Sequence, residues 1–490
     1  MFFTSYTFVF LFVPLAWAGF ALLLHQGRQG LATGWLVAMS LWLYASLDAR
    51  HLPQLVGSVL VNYAVIVAMA RAQASRPRLA RALLMGGVAF NIGLLAWLKY
   101  AGLLWGDGTA VAIPLGISFY TLQQIGFLIA SFHARREGPP GAARYALFVG
   151  FFPYVIAGPV VTRQEMLGQF AQLSLARARA MALPSLTLFS LGLFKKVGIA
   201  DTLGVHVDAV FLAAGNGAAL SAADAWGAAL LYTLQIYFDF SGYSDMAAGL
   251  AGLFGLQLPR NFHSPFKARS IMEFWRRWHM SATRFFTNHV YLPLVLTAMR
   301  RAVKWRLGGA TRYGLTVLLP MLVTFMLIGL WHGAGVTAVV FGLMMGAAIS
   351  LNHLWVQRQG PRLPALLGWG LTMAVVVCGM VFSRSDTMSM AHTVFVAMAG
   401  VSAGGSALLD PVTTVGWVLF LGAACLLAPN THEIMDADPV VLPETWSVMP
   451  AWQQRFAWRQ GHLGALFASA AFCTAAVLIP KASQFIYYRF

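Results

Sequence analysis

Apolar runs of membrane-spanning length recur along this chain, and short basic clusters separate them. A helix that crosses a bilayer needs about 20 mostly apolar residues. By that rule the first three spans cover about residues 6–24, 31–47 and 52–70. Arg71, Arg76, Arg78 and Arg81 follow the third. Basic residues collect in cytoplasmic loops, so that loop faces the cytoplasm and the amino terminus lies outside. The stretch from Met1 to Leu24 has no basic residue before its apolar core and no small-residue cleavage pattern before Gln26, so it reads as a retained first helix.

A fourth span, about 83–104, leads to an outer turn at Gly106-Asp107-Gly108. The next starts at Ile113 and ends before Arg135 and Arg136; Pro114 and Gly116 predict a bent or re-entrant start. Residues 145–160 are apolar but short, and Pro153, Gly158 and Pro159 break them, which fits a re-entrant or interfacial piece. Spans at about 183–200 and 223–240 follow. The first carries Lys195 and Lys196 in its outer half, where lysines must snorkel or meet acidic partners. Residues 243–256 run into a basic stretch, 260–312, which reads as cytoplasmic with amphipathic helices in the interface. A hairpin of spans at about 315–331 and 336–355 comes next, with His332 near its apex. Further spans near 365–382, 394–401, 414–427 and 464–479 bring the count to about eleven to thirteen. Residues 430–462 are the longest polar stretch late in the chain. The pattern predicts an all-α polytopic membrane protein, and the lack of a repeat or low-complexity tail predicts one domain over residues 1–490.

Composition sharpens this picture. Only 10% of the 490 residues are charged and 59% are hydrophobic, against about a quarter charged in a soluble domain. The net charge of +17 would suggest a nucleic acid partner on a soluble protein. Here no separate basic domain exists to hold one, and the charge sets topology and meets anionic lipid. Cys378, Cys425 and Cys473 lie far apart inside apolar runs, form no metal-binding spacing, and read as packing residues.

Two histidines carry the candidate chemistry. His332 sits in Gly329-Leu330-Trp331-His332-Gly333-Ala334-Gly335, within residues 313–357, which contain no Asp, Glu, Lys or Arg. An ionisable ring at membrane depth costs several kcal/mol unless water, protein partners or a neutral form relieves it. The glycines allow close backbone approach and a break in the helix. A neutral imidazole can take a proton from a hydroxyl and activate it for attack on an acyl group; the structural alternative is a helix-end histidine bonded to backbone. His279 ends Trp275-Arg276-Arg277-Trp278-His279. It is either a second wall of the site or part of an interfacial helix with Trp at headgroup level and Arg on phosphate. A third cluster, Tyr237 to Asp245, places Asp239, Tyr243 and Asp245 in an apolar run, with Asn261 close behind. Those carboxylates either hold a catalytic histidine or pair with Lys195, Lys196 or an arginine. No G-x-x-x-x-G-K-[ST] or His-Glu-x-x-His motif is present, so neither a P-loop ATPase nor that class of metalloprotease is indicated.

Taken in order, several segments resemble the membrane-bound O-acyltransferase family, and within it the bacterial alginate O-acetyltransferase branch. They are Pro114 to Gln123, Phe152-Pro153 with Ala157-Gly158-Pro159, Gly192-Leu193-Phe194-Lys195-Lys196, Tyr237 to Asp245, Phe274 to Ser281, Gly329 to Gly333, and Pro429-Asn430-Thr431. The resemblance implies a multi-helix bundle with re-entrant segments and a central tunnel, in the inner membrane of a bacterium. It implies transfer of an acyl group from a cytoplasmic donor, often a coenzyme A thioester, to a hydroxyl. His332 matches the family's catalytic histidine and His279 its second one. The branch works with an extracytoplasmic partner protein that completes transfer to a polysaccharide. One departure is Thr287-Asn288-His289, where the branch commonly shows an Arg-Asp-Tyr run.

The expectation is therefore an O-acetyltransferase with no permanently bound cofactor. Acetyl-CoA would be the donor, with Arg276 and Arg277 on its phosphates. His332 would be the general base, and Trp331, Trp278, Asp239, Tyr243, Asp245 and Asn261 would line the substrate site. Two alternatives stay open: D-alanyl or other acyl transfer to a cell-wall polymer through a carrier protein, and a lipid or acyl-substrate transporter that uses the same broken helices.

Overall fold

The computed structural model describes residues 2–105, 113–134, 137–402, 404, 407–435 and 461–486. Among these residues the chain is helical, with no β-strand. The expected outer turn at 106–108, Arg135 and Arg136, and most of the polar stretch 430–462 lie outside them. In chain order the α-helices are α1 Val13–His25, α2 Gln29–Asp48, α3 Leu52–Ser75, α4 Pro77–Trp105, α5 Ile117–His133, α6 Ala142–Gly150 and α7 Arg163–Ala171. Then come α8 Leu175–Leu193, α9 Asp201–Gly215, α10 Ala222–Leu253, α11 Ile271–Arg277, α12 Met280–Phe286, α13 Leu292–Lys304 and α14 Gly309–Tyr313. The last are α15 Leu319–His332, α16 Val336–Gln357, α17 Ala365–Arg384, α18 Met388–Met398, α19 Pro411–Leu427, α20 Thr431–Ile434 and α21 His462–Leu478.

Eight apolar helical segments among the described residues are long enough to cross a membrane, and α18 and α19 are shorter apolar helices. The eleven to thirteen segments expected from the sequence come down in part because the second and third spans fall within one helical segment, Gln29–Ser75. A π-helical stretch, Phe194–Ala200, links α8 to α9, so the expected span at 183–200 is part of one helical run over Leu175–Gly215. The stretches at 223–240 and 243–256 join in α10, a 32-residue helix buried along most of its length.

Helix α10 is the central post of the bundle, flanked by α8, α9, α17, α18 and α19. Its contact with α8 is backbone on backbone. A Cβ on Gly192 would lie 2.6 Å from the Gly242 carbonyl, and one on Gly242 would lie 2.7 Å from that of Gly192. Small residues at a helix crossing allow this approach, and dispersion then holds the pair where lipid offers no hydrophobic drive. The segment 151–161 holds no helix, yet Phe151 to Val160 are buried. Gly116 closes against it with φ +75°, where a Cβ would meet the Val155 carbonyl at 2.5 Å. Irregular backbone of this kind is tolerated at membrane depth where protein surrounds it.

Candidate active site

Helix α15 ends at His332 because Gly333 takes an extended conformation (φ −154°, ψ 151°) and Gly335 caps α16 in an equally extended one. His332 is therefore the last helical residue before a three-residue turn, and it is half-buried. Its neighbour Trp331 is buried, and the indole N–H donates to the Ser118 carbonyl at 2.9 Å.

His279 reaches the same place from another direction. It lies between α11 and α12 in the left-handed region (φ 43°, ψ 50°). For a residue with a Cβ that conformation costs on the order of 1–2 kcal/mol, so the surrounding structure must impose it. Asn261 supplies the restraint. Its carbonyl accepts from the Met280 N–H at 2.9 Å, and its side-chain oxygen accepts from the Ser281 hydroxyl at 2.5 Å and the Ser281 N–H at 3.3 Å. The Asn261 amide donates to Ser244 on α10 at 3.2 Å, and the Val160 N–H donates to the Ser281 hydroxyl at 2.9 Å. The kink at His279 is thus clamped to α10 and to the irregular segment 151–161.

The clamp puts the two imidazoles side by side, with ring centroids 6.1 Å apart. Aromatic rings wall them in. Phe240 lies 4.6 Å from His279 and Phe119 6.3 Å, while Trp331 lies 5.7 Å from His279 and 4.6 Å from His332. Four elements that are far apart in sequence, α5, α10, the α11–α12 kink and α15, converge here.

Other residues expected at the site lie elsewhere. Trp278 stacks on Phe274 at 5.4 Å, with Phe262 at 5.1 Å. Asp239 bonds Lys196 at 2.7 Å and accepts from the Ile486 N–H at 3.1 Å. Lys196 also holds Asp201 at 2.6 Å and donates to the Gln484 carbonyl at 3.2 Å. Asp245 pairs with Lys195 at 2.7 Å and lies 3.3 Å from the His432 ring. Tyr243 stacks on Phe3 and meets Phe485 edge-on. Helix α10 thus turns Phe240 toward the histidines, and Asp239, Tyr243 and Asp245 toward the ion pairs and residues 483–486.

Two cavities approach the kink from the basic stretch. One, of about 280 Å³, follows α5 from Leu122 through Gly126 to His133, with Ser281, Arg284 and His289 opposite. Leu122 is one helical turn from Phe119. The second, about 240 Å³, is lined by Arg260, Trp275, Arg276, Met280, Ser281 and Arg284 among others. Arg276 is exposed there. Arg277 is instead engaged with Glu273 at 2.7 Å and the His263 carbonyl at 3.2 Å, and Arg284 with Glu165 at 2.7 Å. Outside the membrane-spanning helices, burial and then the nearby His133 hold the His289 ring below the ordinary histidine range.

The sequence reading missed two contributors. Lys99 and Tyr100 of α4 donate to the Trp331 and Leu330 carbonyls, and Lys99 also reaches the Ser118 hydroxyl at 3.4 Å. Lys99 was visible as a lone charge inside an apolar span. The spacing G-x-S-x-G does occur at Gly400-Val401-Ser402-Ala403-Gly404. It follows α18, and no β-strand that could start the strand-to-helix elbow of such a serine nucleophile precedes it among the described residues.

The membrane-bound O-acyltransferase family model matches residues 114–385, more than half of the chain and all of the convergence around His279 and His332. The chain belongs to the membrane-bound O-acyltransferase family. It is 34% identical over 440 residues to the peptidoglycan O-acetyltransferase of Helicobacter pylori, an alignment covering 82% of this chain and 80% of that one. It is 33% identical to the probable alginate O-acetylase AlgI of Pseudomonas fluorescens, covering 81% and 75%. A teichoic acid D-alanyltransferase of Streptococcus thermophilus is 26% identical over half of this chain. The protein is thus a multi-pass membrane acyltransferase, and the transporter alternative gives way. Within the family match lie both histidines and the Asn261 clamp; Lys99 lies outside it.

Proposed function

We propose that this acyltransferase moves an acetyl group from cytoplasmic acetyl-CoA to a hydroxyl on an exported polysaccharide, directly or through an extracytoplasmic partner protein, in the inner membrane of a bacterium. The observation that carries this reading is the meeting of His279 and His332 at a clamped kink, with basic-lined cavities on one side of it.

In this reading the donor's phosphates meet Arg276, and its thioester reaches the histidines along α5. A ring nitrogen of His332 removes the proton of the acceptor hydroxyl as its oxygen attacks the thioester carbonyl. The tetrahedral intermediate collapses, the C–S bond breaks, and the thiolate leaves with the proton returned by the imidazolium. His279 and Trp331 position the reacting groups. The aromatic wall keeps bulk water away, which limits hydrolysis of the thioester. Asn261 acts through the backbone of His279, and Asp239, Tyr243, Asp245 and Trp278 hold the helices that carry the site.

The likeness to a teichoic acid D-alanyltransferase supports a second reading, in which a carrier protein delivers D-alanine to a cell-wall polymer. Membranes incubated with radiolabelled acetyl-CoA, then separated into protein, lipid and glycan, decide between them. Label in the glycan that disappears in His332→Ala is the expected result. Label transferred equally by a folded His332→Ala protein would overturn the role of His332. Transfer only from a D-alanyl carrier protein would favour the second reading.

A further inference from the structure

We propose that Lys99 is a positioning residue of the transfer reaction, holding the end of α15 so that His332 faces the reacting hydroxyl; this rests on His332 being the base. Lys99 lies on α4, before the family match begins at residue 114. Its side chain is 6% exposed. The other two lysines inside the bundle, Lys195 and Lys196, are each held by carboxylates. Lys99 forms no salt bridge among the described residues, and its ammonium donates to two neutral oxygens, the Trp331 carbonyl and the Ser118 hydroxyl. Burying an ammonium against neutral oxygens is costly, which a methionine at this position would avoid.

The location gives the charge a use. The carbonyls at a helix C-terminus have no partner within the helix and carry the negative end of its dipole. The Trp331 carbonyl is one of these, and it belongs to the peptide that links Trp331 to His332. An ammonium on it fixes the plane of that peptide and so the starting direction of the His332 side chain. Two other bonds secure the same turn: Tyr100 to the Leu330 carbonyl and the Trp331 indole to the Ser118 carbonyl. Those bonds hold α15 against α4 and α5 without Lys99. Removing Lys99 therefore loosens the orientation of one peptide while the helices remain packed. The titratable and charged groups around the turn include Lys99 and Tyr100 from α4, His279 from the α11–α12 kink and Asp386, whose carbonyl approaches Gly335.

The test is steady-state acetyl transfer by the purified full-length protein carrying Lys99→Met or Lys99→Arg, with thermal melting in detergent alongside. Misplacing a catalytic group by about 1 Å costs about a hundredfold in rate. Lys99→Met is expected to lose about a hundredfold in kcat while KM for acetyl-CoA stays within about threefold, with melting close to wild type. Lys99→Arg is expected to regain at least about tenfold of that loss, because it restores a charged donor. A kcat for Lys99→Met within about threefold of wild type would overturn the proposal, as would a loss that matches the fraction of protein unfolded. If Lys99→Met does not fold, Lys99→Gln is read instead: wild-type kcat from the neutral amide refutes the need for a charge. Activity surviving in His332→Ala would remove the base reading itself, whereas a dead His332→Ala beside a fully active Lys99→Met removes only the role of Lys99.

Discussion

Replacing Gly329 with alanine tests whether the α15–α16 hairpin sets the position of His332. A Cβ at Gly329 would lie 2.1 Å from the Ala338 carbonyl oxygen and 3.3 Å from the Gly342 Cα. The clash is with backbone, so no side chain can swing aside. The two helices must part by roughly an ångström, and overpacking of this kind costs about 1–3 kcal/mol. His332 is less than one turn farther along α15, so it moves with the displaced backbone, and a shift of that size costs about a hundredfold in rate. Gly346 supplies the graded control, because its Cβ would stand 3.1 Å from the Met321 carbonyl and needs only a small adjustment. Membranes containing each variant would be assayed for acetyl transfer at matched protein amounts, and the purified proteins melted in detergent. Gly329→Ala should lower the melting temperature and lose about a hundredfold in activity, and Gly346→Ala should lose far less. Wild-type activity and melting for Gly329→Ala would show that the hairpin has slack and does not locate His332.

The two adjacent arginines should separate cleanly. Arg276→Ala, exposed on a cavity wall, is expected to raise KM for acetyl-CoA about threefold to tenfold with little change in kcat, and the effect should fade at high salt. Arg277→Ala should instead lower thermal stability, because it frees Glu273 and the His263 carbonyl. Acid should destabilise the layer around His263 and His432. Burial, helped by Arg277 and Arg260, pushes the His263 ring down to about 4 despite Glu433. Burial also holds His432 below its ordinary value despite Asp245. Both rings take a proton more readily in the unfolded chain, so stability is whole above about pH 6.5 and falls as pH drops toward 4. Melting curves from pH 7.5 to 5 check the sign, and His263→Asn should flatten the slope.

Much of the fold could be read from apolar run length, because lipid selects for it directly. What could not be read is burial within the bundle. Helix α10 carries Asp224, Asp239 and Asp245 and is enclosed by other helices, so a reading by apolar length breaks it at Ser241 and Gly242. The histidine pair stood out because an imidazole in an apolar run is costly. Trp278 looked like a wall of the site because it adjoins His279, yet its ring packs on Phe274 and Phe262. Asn261 was noticed for its place beside a motif; its clamp on residues 280 and 281 depends on contacts across 20 positions that no local pattern reveals. Lys99 was a lone charge inside an apolar span, and its partners come from α5 and from α15, 232 residues later.

The ties between Lys196 and residues 483–486 bear on how the protein is made. Ser483 follows Lys196 by 287 residues, and its hydroxyl bonds both Lys196 and Asp201. Translation therefore releases the lysine into the bilayer long before this last partner exists, and Asp201 and Asp239 must shield it in the interim. A nascent chain that ends before residue 483 therefore holds this cation through Asp201 and Asp239 alone, and the last residues add neutral oxygens to a pair of carboxylates already in place.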